Sequence, residues 1–245
     1  MDGRQEHRTL EALGLGRAPR DHPLLYPGVW PAGSGLLAGD LLLPLDRLTH
    51  PGRSPVLAVG SNASPAQLRY KMAALGITSP VPMVRARVTG IGVGVSAHVS
   101  LLGYMSASPV DSPGVTRELF VIWLDDEQLT AVDATEPNYD RVVLPASRFR
   151  VELEDGETLS DVFSYVNRHG VLHNGTGAPR SHPGQRTLIT ELLLGSPALR
   201  RLFGATPEEF VTRARADALL CRQGTRLFAE EKRVTNSGLE HLRCG

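Results

Sequence analysis

Pro55-Val56-Leu57-Ala58-Val59-Gly60-Ser61-Asn62-Ala63-Ser64-Pro65-Ala66-Gln67 holds a strand signal, a turn signal and a helix signal in direct succession. The apolar run from Pro55 to Val59 stops at Gly60, which suits a short buried strand. Ser64 then fits a helix N-cap, Pro65 the first helical position and Gln67 the far side of a capping box. A helix is expected over about 65–75, stopping at Gly76. Between strand and helix, Gly60 permits a sharp turn and the close approach of a ligand. The N–H groups of residues 60–62 lie just before a helix N-terminus, where unpaired amides favour carboxylates or oxyanions.

Outward from this stretch, β-branched runs predict strands over 81–88, 91–99 and 118–124. Asp125, with Gln128 three residues on, is a second cap signal. Its helix carries Leu129 and Val132 inward and ends near Glu136, because Pro137 cannot continue it. Two more strands are expected over 141–144 and 148–153, and Asp155-Gly156 predicts a hairpin turn to a strand over 161–166. Residues 167–185 form a Gly/His/Pro-rich loop, followed by a helix over about 187–194. Thr206-Pro207-Glu208-Glu209 is a third box; its helix runs toward Cys221, with Gly224 as the expected break. Strands dominate the middle and helices the end, an α+β pattern without internal repeats. Three segments follow: an irregular Gly- and Pro-rich N-terminal extension (1–54) packed on the core, a core domain (55–185) and a helical C-terminal extension (186–245).

Composition narrows the class. The 245 residues are 41% hydrophobic and 21% charged, enough apolar material for a sizeable core. With 26 Lys+Arg against 26 Asp+Glu the formal charge is zero, which disfavours a charge-driven nucleic-acid or membrane binder. Only Lys71 and Lys232 are lysines, so 26 − 2 leaves 24 arginines, a bias that reads as codon usage. Met1-Asp2-Gly3-Arg4-Gln5-Glu6 lacks the apolar core of a signal peptide, and the stretch 36–45 is too short to span a bilayer. Cys221 and Cys244 form neither a disulfide framework nor a metal-binding spacing. The expectation is a cytoplasmic protein with reduced thiols.

The most informative constellation pairs Gly60-Ser61-Asn62 with Glu136. A carboxylate at a helix C-terminus, where the macrodipole and burial both disfavour negative charge, suits a group that must take up and return a proton. Leu57-Ala58-Val59-Gly60-Ser61-Asn62 resembles the aromatic-Gly-Ser-Asn opening of the gamma-glutamylcyclotransferase-like family. The block from Leu119 through Leu129, Asp133 and Glu136 to Tyr139-Asp140-Arg141 resembles that family's second motif, about 75 residues on. The resemblance covers residues 55–166, under half of the chain.

It implies a small mixed β-barrel flanked by helices and an amide-cleaving cyclotransferase that converts a γ-glutamyl amide into 5-oxoproline and a free amine. It also implies that Val59, Gly60, Ser61, Asn62 and Tyr139 line the substrate site. The Gly60-Ser61-Asn62 backbone would grip the α-carboxylate, and Glu136 would carry protons as acid/base. No metal or organic cofactor is implied, since the nucleophile is intramolecular. Val59 stands where the family usually carries tyrosine, so one phenolic hydrogen bond is missing and the substrate is left open.

Other readings of the same residues are a non-catalytic ligand-binding protein on this fold and a hydrolase using Ser61 with His98, His169, His173 or His182. The latter lacks the second glycine of a nucleophile elbow. His169, His173 and His182 sit among helix-breaking residues without a carboxylate, a pattern of solvated loop histidines rather than a metal site. The loop with Asn174-Gly175-Thr176-Gly177, Arg180 and Arg186 is expected near the mouth of the site. Phe210, Val211, Ala214 and Ala218 pack either on the core or on a second subunit, which leaves a homodimer open.

Overall fold

The computed structural model describes residues 8–45 and 52–244. The opening hexapeptide, and with it the expectation of a start without a signal peptide, lies outside them. A hairpin of β1 (Gly35–Ala38) and β2 (Leu41–Leu43) precedes β3 (Ser54–Ala58) and α1 (Pro65–Ala73). Two long strands, β4 (Val81–Val99) and β5 (Met105–Leu124), lead into α2 (Asp126–Ala134). Short strands follow: β6 (Tyr139–Pro145), β7 (Arg150–Leu153), β8 (Thr158–Leu159), β9 (Asp161–Asn167) and β10 (Val171–Leu172). Helices α3 (Gln185–Gly195), α4 (Pro197–Phe203), α5 (Pro207–Ala216) and α6 (Ala218–Glu230) come next, then β11 (Val234–Thr235).

The architecture is α+β, with one mixed sheet ordered β11-β10-β4-β5-β3-β9-β6 and with β1, β2, β7 and β8 branching from β4. Only β3 and β9 run parallel among the described pairings; the rest are antiparallel. The expected barrel is not formed. The sheet is open, because β11 and β6 end the order without pairing, while the long β4 sends side branches to β1 and β7 rather than curling onto one partner. The runs 81–88 and 91–99 are likewise one strand. A register shift at Thr89/Gly90, where Gly90 takes φ +98°, bends β4 without ending it.

Alternation along β3 explains why both sheet faces are buried. Val56 and Ala58 join Leu68 and Met72 of α1 and Leu129 and Val132 of α2 on one face. Leu57 and Val59 join Val84, Val121, Val142 and Val162 on the other. Burying a Leu or Met side chain contributes roughly 1.5–3 kcal/mol, and Leu68 and Met72 supply that contribution where α1 meets the sheet. The C-terminal helices pack on the far end of β4 and the start of β5, where Phe203, Phe210, Ala214, Cys221 and Phe228 meet Val95, Val99 and Met105. Phe210 and Ala214 are thus buried in their own chain, Val211 is half-buried and Ala218 is exposed.

Three local expectations need correction. Ser64 is the N-cap of α1 but makes no capping hydrogen bond, and Gln67 Oε1 accepts from the Arg20 N–H (3.2 Å) instead of closing a box. The Asp155-Gly156 turn joins β7 to β8, whereas β9 pairs with β3 and β6. The C-terminal helix breaks at Asp217, whose side chain caps α6, and Gly224 lies inside α6. The boxes at Asp125/Gln128 and Thr206/Glu209 form as expected.

Candidate active site

The strand-to-helix connection after β3 is a single 3₁₀ turn over Ser61–Ala63, closed by Ala63 N–H to the Gly60 carbonyl (3.0 Å). Ser61 and Asn62 open that turn, so their own N–H groups have no partner within it. From the other side, α2 stops at Ala134, and Glu136 follows immediately after the Thr135 C-cap. The two connections meet: Asn62 Nδ2 donates to Glu136 Oε1 (3.1 Å).

A third group completes the contact. On α1, Gln67 and Lys71 lie one turn apart on the buried face. The Lys71 ammonium donates to Asn62 Oδ1 (2.7 Å) and to Glu136 Oε1 (2.9 Å), forming a closed ring of three side chains. The Lys71 side chain is only 5% exposed and that of Glu136 17%. Both contacts fall on Oε1, which leaves Oε2 without a protein partner among the described residues.

Beside this ring stand three phenols. Tyr26, from the segment before β1, stacks on Tyr104 with ring centroids 4.5 Å apart. Ala107 of β5 links two of them: its N–H donates to the Tyr26 hydroxyl (2.7 Å), and its carbonyl accepts from the Tyr139 hydroxyl (2.9 Å). Burial, then the neighbouring phenols, raise the Tyr26 hydroxyl well above the ordinary phenol value. Burial, then the Glu136 charge, raise Tyr104 and Tyr139 as well. All three stay protonated and able to donate.

These groups enclose a cavity of about 100 Å³. The site residues that the family resemblance implies, Val59, Gly60, Ser61, Asn62, Glu136 and Tyr139, all line it. The Tyr139 hydroxyl is spent on Ala107 rather than on Glu136. Lys71, Tyr26 and Tyr104 line the same cavity and were missed. One signal was available for Lys71, a rare lysine in an arginine-dominated chain that falls on the apolar side of α1 beside Leu68 and Met72.

The loop over 167–185 contributes nothing to the lining of this cavity among the described residues. Arg180 and Arg186 pair instead with Glu191 and Glu208. The histidines weighed as partners for Ser61 bond elsewhere: His98 to Asn167 (3.0 Å), His169 to Asn138 (3.1 Å), His173 to the Lys232 carbonyl (2.7 Å) and His182 to the Met105 carbonyl (3.3 Å). Among the described residues no helix is long and apolar enough to cross a membrane, and no cluster of His, Cys, Asp and Glu is grouped to hold a metal ion.

No family model and no curated protein matches this chain. Similar solved structures include a gamma-glutamyl cyclotransferase, at 15% identity and TM-score 0.38 over 47% of this chain and 66% of that one. Another is the Arabidopsis thaliana protein At3g28950.1, solved in solution, at 18% identity and TM-score 0.37 over 64% and 86%. A third is YkqA from Bacillus subtilis, at 14% identity and TM-score 0.36 over 75% and 56%. The matched region thus spans just under two thirds of the cyclotransferase and about half of YkqA.

Proposed function

We propose that this chain is a gamma-glutamylcyclotransferase-like enzyme acting on a small γ-glutamyl amide, with Glu136 as acid/base and the Gly60–Asn62 turn as the cradle for the α-carboxylate. The observation that carries this reading is the meeting of Glu136 with Asn62 (3.1 Å) at the wall of one small cavity. The open N–H groups of Ser61 and Asn62 suit an anionic oxygen. Glu136 Oε2 takes one proton from the substrate's α-ammonium group. The freed amine attacks the γ-carbonyl carbon and forms the ring C–N bond. The ring nitrogen sheds a second proton as the old C–N bond breaks, and both protons leave on the departing amine. Glu136 ends as the carboxylate it began as. Lys71 and Asn62 hold Oε1 throughout and so orient the carboxylate, while a folded substrate pose supplies the proximity that replaces a separate nucleophile.

The test is to incubate the protein with a panel of γ-glutamyl amines and peptides, follow 5-oxoproline, and repeat with Glu136→Gln. Turnover by the wild type and its loss in the variant are expected. Turnover that survives the substitution rejects the role of Glu136. Absence of turnover with a ligand still bound selects a non-catalytic binding protein.

A further inference from the structure

Tyr26 lies outside the segment that carries the sequence motifs, yet it is only 5% exposed and lines the cavity. Its hydroxyl oxygen accepts from the Ala107 N–H (2.7 Å). A phenol has a donor as well as an acceptor function, and among the described residues nothing accepts the Tyr26 hydrogen. A buried donor without an acceptor costs free energy, so a partner from outside the protein is the natural complement.

The position of that donor is specific. A Cβ placed on Gly60 would lie 2.5 Å from the Tyr26 hydroxyl oxygen. The absent side chain at Gly60 makes room for the phenol. The hydroxyl therefore sits against the first residue of the Gly60–Asn62 turn, and Val59, which precedes it, lines the same cavity without a polar group.

We propose that Tyr26 is a substrate-binding residue whose hydroxyl donates to the α-carboxylate held at Gly60–Asn62, supplying from the N-terminal segment the phenolic donor that Val59 lacks. The identity of the ligand rests on the γ-glutamyl reading above. Ala107 fixes the hydroxyl through its N–H and fixes Tyr139 through its carbonyl, so both phenols share one backbone anchor. On this account the segment before β1 is a wall of the site.

The test compares wild type and Tyr26→Phe in turnover of γ-glutamyl amines and in calorimetric binding of 5-oxoproline and of its primary carboxamide. Loss of a hydrogen bond to a charged oxygen weakens 5-oxoproline binding and raises KM by about 10- to 100-fold, with kcat changed little. The carboxamide loses less, a distinction that a merely structural defect does not produce. Because Tyr26→Phe also strips Ala107 of its acceptor, thermal unfolding is recorded alongside. Replacing Tyr26 with a ring-fluorinated tyrosine keeps that bond, makes the donor more acidic and is expected to tighten binding several-fold. Unchanged affinity in both altered proteins overturns the assignment of Tyr26 and leaves the cyclotransferase reading standing if turnover persists. Carboxylate binding that depends on Tyr26, without turnover by the wild type, sustains the assignment and rejects the reaction. A wild type that neither binds nor turns over rejects both.

Discussion

The Lys71 ammonium lies 2.9 Å from Glu136 Oε1, and Asn62 bonds to both partners. This one contact ties α1, the end of α2 and the turn after β3 together at the cavity wall. It differs in kind from pairs such as Arg186–Glu208, whose side chains are 60% and 58% exposed and whose attraction is screened by water and salt. With Lys71 5% exposed, the surroundings screen the pair far less. Its geometric consequence is a carboxylate with one oxygen held and one free.

Lys71→Met keeps most of the side-chain volume and removes the charge. It leaves Glu136 without its cation in a largely enclosed place, a change that costs about 3 kcal/mol. Urea unfolding should show that loss, and any 5-oxoproline-forming activity should fall because Oε1 is no longer fixed. An unchanged midpoint would mean that the ion pair does not form in solution.

His98 predicts a pH dependence with a definite sign. It is buried on β4, bonded to Asn167 and packed edge-on against Tyr139 and near His169. Burial, then the nearby His169, lowers its value from 6.5 to about 3. Because the folded-state value is depressed, protonation favours the unfolded chain. The contribution of neutral His98 is complete above about pH 6.5 and is lost as pH falls toward 3, at up to roughly 1.4 kcal/mol per pH unit. Urea midpoints from pH 7 to pH 4 should fall more steeply for the wild type than for His98→Gln. Parallel slopes would show that His98 is not buried as a neutral ring.

Gly224 tests how the C-terminal helices sit on the sheet. Alanine is the better helix former by about 1 kcal/mol. A Cβ at this position, however, would lie 2.6 Å from Phe203 Cε2 and 3.1 Å from Val99 Cγ2. Overpacking of this kind costs about 1–3 kcal/mol, so Gly224→Ala should lower the melting temperature. A raised melting temperature would place α6 further from β4.

The legible parts of this protein were those set by local chemistry. The run 55–59, the Asp125/Gln128 and Thr206/Glu209 boxes and the stop near Pro137 are short-range signals, and each appears where the residues put it. The joining of Glu136 to Gly60–Asn62 was legible as a motif, because both lie at element ends that a sheet brings to one side. Long-range decisions were not. Nothing local told that 81–99 is one bent strand, that the sheet stays open, or that Ser64 hands its expected partner Gln67 to Arg20. Tyr26 was hidden for the same reason: its place depends on how an irregular segment folds back over β5, and its bond to Ala107 spans 81 residues. Lys71 carried a compositional signal, but its partner Glu136 is 65 residues away.

In the proposed reaction the substrate's own amine, not water or Ser61, breaks the amide. The most direct measurement is product analysis in water enriched in oxygen-18, using a γ-glutamyl amine that the wild type turns over. Intramolecular attack yields 5-oxoproline with no heavy oxygen, in equal amount to the released amine, and none of it with Glu136→Gln. Glutamate carrying oxygen-18 in its γ-carboxylate would mean hydrolysis and would contradict the account.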